Sequence, residues 1–336
     1  MSMTAHARMY QLIWGFTASQ VVHAVARYCL ADHLAAGPQS AQHIAERESL
    51  SVNATFRLLR ACASMGLVNY DGQSKFSTTE LLDTLRTDAA GSLRGAALLI
   101  AASGHWLPWG RLSEAVKTGV PQAVATLGRD VWAHLAQSPD EAAAFADTMK
   151  SVSAVFNREA MRLIDTRSVG VAVDIGGASG SLVHALMEQN PALRGIVFDL
   201  PHVLTSATQA VADRPDLRDR FSVVPGDFLA GAPPPADLYL LKLILHDWDD
   251  EAALKILRHC RQGINPGGRI VVIEQLLDQI GAPGPAALMD LNMMVVLGGR
   301  ERDLGEYRTL LAAAGFQFAS TTATHTPFVL IEARAV

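Results

Sequence analysis

Residues 171–181, Val-Ala-Val-Asp-Ile-Gly-Gly-Ala-Ser-Gly-Ser, constrain this chain more than any other stretch. An apolar run with strand character, Val171–Ile175, enters a turn with glycine at 176, 177 and 180, and a helical pattern starts at Ser181. A strand that passes through a glycine-rich turn into a helix is the opening unit of an open α/β sheet, where ligands bind at the carboxyl ends of strands. The helix N-terminus there presents unpaired N–H groups and positive potential. Glycine lets the backbone approach a ligand with no Cβ in the way. The same turn also serves as a plain strand-to-helix connection, so its meaning depends on its surroundings.

Those surroundings repeat the pattern. From about Val169, β-rich runs at Val171–Ile175, Gly195–Asp199, Phe221–Val224, Leu238–Leu241, Arg269–Ile273 and Phe328–Glu332 alternate with helical segments. The helical segments include Ser181–Gln189, His202–Arg214, Asp250–Gln262 and Gly305–Ala314. Such alternation predicts a doubly wound, mostly parallel sheet over 169–336. The first 168 residues read as helical. Apolar positions at helical spacing run from Tyr10 to Leu34, Gly37-Pro38 ends that stretch, and Ser40 is placed to cap the next helix. A helix over Asn53–Met65 closes at Gly66, and Leu67–Tyr70 with Lys75–Ser77 form a hairpin about Asp71-Gly72. Helix, turn, helix and hairpin together predict a winged helix over 1–100, with a helical connector over 101–168.

A winged helix raises the question of DNA. Its second helix offers only Arg57 and Arg60, and residues 1–100 hold eight Lys/Arg against seven Asp/Glu. A DNA reader shows a basic face, so packing or self-association is the expected role. The whole chain has 336 residues, a net charge of -5 and 49% apolar residues. That is globular material with no electrostatic attraction to nucleic acid or anionic membrane. Cys29, Cys62 and Cys260 are widely spaced and odd in number, which suits a reduced, cytoplasmic protein. No signal-peptide pattern and no membrane-spanning run appears.

Two further strand ends point to a nucleoside. Asp199 closes the second strand 25 residues after Asp174, where carboxylates accept hydrogen bonds from ribose hydroxyls. Gly226-Asp227-Phe228 follows the third strand with an acid and an aromatic, suited to an adenine amino group and ring. An acid immediately before the glycine turn, Asp174, would repel a pyrophosphate and suits the ammonium of a methionine moiety. Together these favour S-adenosylmethionine over a nicotinamide dinucleotide.

Five blocks in order then resemble one family. They are Asp174-Ile-Gly-Gly-Ala-Ser-Gly, Phe198-Asp-Leu-Pro-His, Gly226-Asp-Phe-Leu, Leu241-Lys-Leu-Ile-Leu-His-Asp-Trp-Asp-Asp-Glu, and Gly298-Gly-Arg-Glu-Arg followed by Glu306-Tyr307 and Ala314-Gly-Phe316. This pattern is similar to the class I S-adenosylmethionine-dependent small-molecule O-methyltransferases of plants and of bacterial antibiotic and phenazine pathways. The resemblance implies a Rossmann-like catalytic domain preceded by an all-helical winged-helix dimerisation domain, and hence a homodimer. It also implies a cofactor site of Asp174, Gly176, Gly177, Ala178, Gly180, Asp199, Leu200, Gly226, Asp227, Phe228 and Lys242, with S-adenosylhomocysteine as product. Ala178 stands where many members carry a third glycine. Alanine is tolerable there unless the backbone needs a positive φ, and a minor effect is expected.

Methylating a phenol is helped by a base, because a free phenol ionises near pH 10. His246, beyond the Leu238–Leu241 strand, is the natural candidate. By the resemblance Glu274 and Glu301 flank it, and Asp247 orients the loop or cofactor. The acids Asp247, Asp249, Asp250 and Glu251 open a helix, where the dipole favours them, and no metal is expected. Trp106, Trp109, Phe145, Met149 and Phe156, with Asn292, Met293 and Val296, are candidates to line an apolar acceptor pocket. The acceptor is expected to be a small aromatic molecule. Its ring system, and oxygen against nitrogen as the acceptor atom, stay open, as does another reaction on the same fold.

Overall fold

The computed structural model describes residues 4–212 and 214–336. It divides into two compact units, Met1–Gly110 with Val124–Val152, and Arg111–Ala123 with Ser153–Val336. In the first unit the helices Ala5–Ile13, Gly15–Arg27, Leu30–Ala35, Ala41–Glu48 and Val52–Ser64 accompany a small antiparallel sheet. Its strands β1 (Gln39–Ser40), β2 (Val68–Tyr70) and β3 (Lys75–Thr78) lie in the order β1-β3-β2. The unit is thus a winged helix with three strands and not an all-helical domain. The continuous helical pattern from Tyr10 to Leu34 is cut twice, at Trp14 and at Cys29, whose φ of 49° no helix accommodates. Ser40 caps its helix as its position suggests, accepting from the His43 amide at 3.2 Å. Val25, Leu30, Leu34, Ile44, Leu59, Cys62 and Phe76 form the core.

The second unit is built on seven strands: β4 (Val171–Ile175), β5 (Arg194–Asp199), β6 (Phe221–Pro225), β7 (Ala236–Lys242), β8 (Ile264–Gln275), β9 (Phe316–Ala323) and β10 (Phe328–Ala335). Their order is β6-β5-β4-β7-β8-β10-β9. Strands β4 to β8 pair in parallel, and β10 joins β8 and β9 antiparallel. Buried apolar residues such as Val173, Ile175, Leu241, Ile270, Val272 and Ile331 hold helices against the sheet, among them Asp250–Gly263 and Leu304–Ala313.

The β9 edge carries few apolar residues (Gln317, Ser320, Thr321, Thr322) and exposes most of them, so no hydrophobic run marks it in the sequence. The helix expected over His202–Arg214 is instead two short ones, Thr205–Ala210 and Pro215–Arg218. Proline at 215 disfavours helical backbone at Arg214, and Asp213 lies outside the described residues. Chain order reverses direction between β4 and β7, the switch point at which open sheets leave a crevice outside the strand ends. No helix of the described residues is long and apolar enough to cross a membrane.

Candidate active site

The carboxyl ends of β4, β5 and β6 carry the acids singled out in the sequence. Asp174, 3% exposed, ends β4 almost wholly buried. Burial raises its carboxyl to about 7, against the pull of Lys242 and with a further push from Asp199. Gly176 (φ 65°) and Gly180 (φ 72°) both take the left-handed backbone that glycine favours. At Gly177 space is the constraint, since a Cβ would come within 2.5 Å of Asp174 Cγ. A Cβ at Gly176 would strike Ile244 Cδ1 at 2.4 Å, so the glycine turn packs directly on the loop that follows β7.

Ala178 departs from the sequence expectation. Its φ is 47°, and its amide donates to Asp199 Oδ2 at 3.0 Å. The backbone does need a positive φ here, so alanine carries a strain of ~1–2 kcal/mol that glycine would not. Asp199 also accepts from the Leu200 amide at 2.7 Å, while burial raises its carboxyl. Asp227 is exposed and caps a turn, accepting from the Leu229 amide at 2.7 Å. Phe228 is half-buried, edge-on to Trp248 with centroids 6.1 Å apart. Gly226 exists for Phe198, whose ring would meet a Cβ at 2.2 Å. Three carboxylates with one lysine make a cradle suited to a cationic ligand and hostile to a pyrophosphate. The donor set therefore fits S-adenosylmethionine.

Lys242 ends β7 half-buried. Burial lowers its ammonium pKa while the carboxylates of Asp174 and Glu274 oppose that change. It lies electrostatically between the cradle and the next cluster, and is not a lysine reaching freely into water.

That cluster begins one residue later. Leu243 has a φ of 55°, a genuine outlier for a branched side chain, costing ~1–3 kcal/mol. The bend turns three successive amides onto one oxygen, Glu274 Oε1: Ile244 at 3.1 Å, Leu245 at 2.9 Å and His246 at 3.4 Å. His246 is 7% exposed, and its Nδ1 lies 2.8 Å from Glu301 Oε1 and 3.8 Å from Glu274 Oε2. Its Nε2 is 3.4 Å from Asp247 Oδ1. Burial alone would lower the imidazole pKa. The facing carboxylates of Glu274, Asp247 and Glu301 outweigh it and raise the group to about 10. Burial in turn raises Glu274 to about 7 and Asp247 to about 6, with His246 opposing both. One atom each of His246, Glu274 and Glu301 falls within 4.8 Å of the others, a spacing that a divalent cation also uses. However, Glu274 Oε1 is engaged by amides and Glu301 Oε1 by the imidazole.

The expected acceptor-lining residues fall in both units. In the first, Trp106 and Trp109 are half-buried on the helix Ser103–Trp109, and Phe145 meets Trp132 edge-to-face at 5.8 Å. Met149 is half-buried one turn beyond Phe145. In the second, Phe156 is wholly buried against Phe328 and offers no surface. Asn292 is half-buried, and Met293 and Val296 are buried, in or beside a π-helical turn, Met293–Leu297. Such turns frequently mark functional sites, and no sequence signal announced this one. The sequence reading also passed over Asp290, which holds the Glu301 amide at 2.9 Å. Gly299 is a further omission: its Cβ would lie 2.1 Å from the His246 carbonyl oxygen. The Gly298-Gly299 pair is the signal that one chain segment presses on another there.

A doubly wound sheet with an acid-lined cradle and a carboxylate-flanked histidine at its switch point defines a group-transfer enzyme acting with a nucleoside-bearing cation. Comparison with known proteins narrows this. Residues 109–317 match the O-methyltransferase domain model, and residues 10–88 match the O-methyltransferase dimerisation domain. A 3-amino-4-hydroxybenzoate 4-O-methyltransferase of Streptomyces cremeus is 36% identical over 95% of this chain and 87% of its own. The crystal structure of LaPhzM superposes with a TM-score of 0.94 at 29% identity, covering 99% of this chain and 100% of that one. Human N-acetylserotonin methyltransferase in complex with SAM gives 0.88 at 29% identity, covering 99% and 98%. The chain belongs to the O-methyltransferase family with an N-terminal dimerisation domain.

Proposed function

We propose that this protein transfers the methyl group of S-adenosylmethionine to a hydroxyl of a small aromatic natural product, with His246 as general base. The observation that carries the reading is the short contact of the buried His246 Nδ1 with Glu301 Oε1, 2.8 Å. A proton on Nδ1 directed at that carboxylate leaves the Nε2 lone pair for the acceptor hydroxyl. The bound cofactor supplies an electrophilic methyl on a sulfonium. Asp174 and the Gly176–Gly180 turn serve the methionine part, Asp199 with Leu200 the ribose, and Asp227 with Phe228 the adenine.

Three carboxylates keep the imidazole protonated at neutral pH when no ligand is present. Occupying the adjoining acidic cradle with a cation works against this and lowers the imidazole pKa, toward the range where a base is effective. Holding the acceptor oxygen in line supplies most of the rate, since orientation is worth ~7–11 kcal/mol. No metal takes part, and activity in excess chelator should be undiminished. The exposed apolar residues Met9, Tyr10, Leu12, Ile13, Trp14 and Phe16 lie within or beside the dimerisation match. They support a homodimer, which light scattering should find and a monomer would refute.

The direct test is to incubate the protein with methyl-labelled S-adenosylmethionine and a panel of hydroxylated aromatics, reading products by mass. One added methyl on an acceptor oxygen is expected. Methylation of an amine alone would move the reaction to nitrogen, and cofactor binding with another product would replace methyl transfer.

A further inference from the structure

Arg302 is 0% exposed, yet the mechanism above gives it no task. Its guanidinium is wholly committed to the short helical turn Leu245–Asp247 and its margin. Nη1 donates to the Leu245 carbonyl at 2.9 Å, Nη2 to the Trp248 carbonyl at 2.8 Å and Nε to Asp250 Oδ1 at 2.8 Å. The two carbonyls bracket His246, one residue before it and two after. The His246 carbonyl itself accepts from the Arg300 amide at 2.9 Å. From the opposite side Glu274 Oε1 takes the amides of residues 244–246. The segment bearing the histidine is therefore fixed through its donors by one buried carboxylate and through its acceptors by one buried guanidinium.

We infer that Arg302 is a positioning residue for His246, aligning the imidazole with Glu301 by clamping the backbone on both sides of it. The inference rests on the proposal that His246 acts as the base. Only the planar fork of arginine presents several donors in fixed directions. A lysine can hold one carbonyl and not bracket both. Arg302 and Glu301 are consecutive, so the segment that carries the imidazole's partner also carries the clamp on its backbone. Arg302 does not touch the Asp174, Asp199 or Asp227 side chains in any recorded contact, so its effect should fall on the base and not on cofactor capture.

The test compares R302M and R302K with the unsubstituted protein, following the His246 ring by nitrogen-15 NMR, cofactor affinity by calorimetry, and kcat and KM with a methylated acceptor. R302M is expected to shift the His246 Nδ1 resonance and its titration and to lower kcat by roughly 10²-fold. Cofactor affinity should change less than about threefold, with R302K recovering part of both effects. If R302M does not fold, R302K alone decides, because it keeps the charge and loses the fork. Either variant folding with the ring resonance, its titration and kcat all unmoved overturns the assignment. Should no acceptor be methylated by the unsubstituted protein, the functional reading fails while the NMR comparison still decides the role of Arg302.

Discussion

Glu301→Gln isolates the charge that the site places against its histidine. The amide can present an oxygen to His246 Nδ1 in place of the carboxylate now 2.8 Å away, and the Glu301 backbone remains tied to Asp290. Geometry is kept while one buried negative charge goes. An opposite charge at this range shifts a pKa by ~1–3 units, and each unit is ~1.4 kcal/mol. Glu274 and Asp247 remain and precede Glu301 among the groups that raise the imidazole, so the lower part of that span is expected. His246, held at about 10, should fall by roughly one to two units. Nitrogen-15 histidine labelling reads this without any acceptor, and the resonance missing from a His246→Ala sample identifies the right one among 11 histidines. The sign for stability follows from the raised folded-state value. Protonated His246 contributes stability that is whole below an unfolded pKa near 6.5 and lost as pH climbs through about 10. The variant should therefore lose that contribution at lower pH, visible in urea midpoints between pH 7 and 10. A ligand-free His246 titrating near 6.5, or a value unmoved in Glu301→Gln, would refute the reasoning.

His246→Ala should lower turnover by roughly 10²–10⁴-fold while leaving cofactor affinity nearly intact by calorimetry; unchanged turnover would remove the residue from the mechanism. Gly177→Ala drives a Cβ to 2.5 Å from Asp174 Cγ. An overpacking cost of ~1–3 kcal/mol should weaken cofactor binding about ten- to hundredfold, and wild-type affinity would show that the turn yields. Ala178→Gly relieves the strain at φ 47°, worth ~1–2 kcal/mol, against ~0.4–1 kcal/mol of added chain entropy in the unfolded state. A net gain of about 0.5–1 kcal/mol should raise the melting temperature by roughly 1–4 °C, and a fall would show that the methyl group makes a contact worth more than the strain.

The sheet and its ligand edge were legible because they depend on local pattern. Val171–Ile175 and Ser181–Gln189 have the boundaries their residues suggest, and Asp174, Asp199 and His246 lie at or just beyond strand ends. The polar edge strand β9 had no apolar run to betray it. In the helical half, Trp14 and Cys29 interrupt a continuous apolar period that gave no warning of either break. Ala178 shows a different limit. The substitution was visible, but whether it carries strain depends on a dihedral that no composition or spacing encodes.

The same distinction separates two glutamates that the sequence treats alike. Glu274 and Glu301 are both fully buried, and the motif assigns both to the histidine side chain. The geometry divides the work: Glu301 meets the ring, while Glu274 first meets three backbone amides and reaches the ring only at 3.8 Å. A carboxylate raised to about 7 by burial is an expensive anchor, and Leu243 adds backbone strain to the same few residues. Such costs persist only when surrounding contacts over-determine the conformation. Those contacts come from Arg302, Gly299 and Asp290, three residues far from the histidine in sequence. Lys242 then connects this rigid segment to the cofactor cradle, since it feels both Asp174 and Glu274. A cation entering the cradle is thus sensed by the base through charge, across a segment too tightly held to respond by moving.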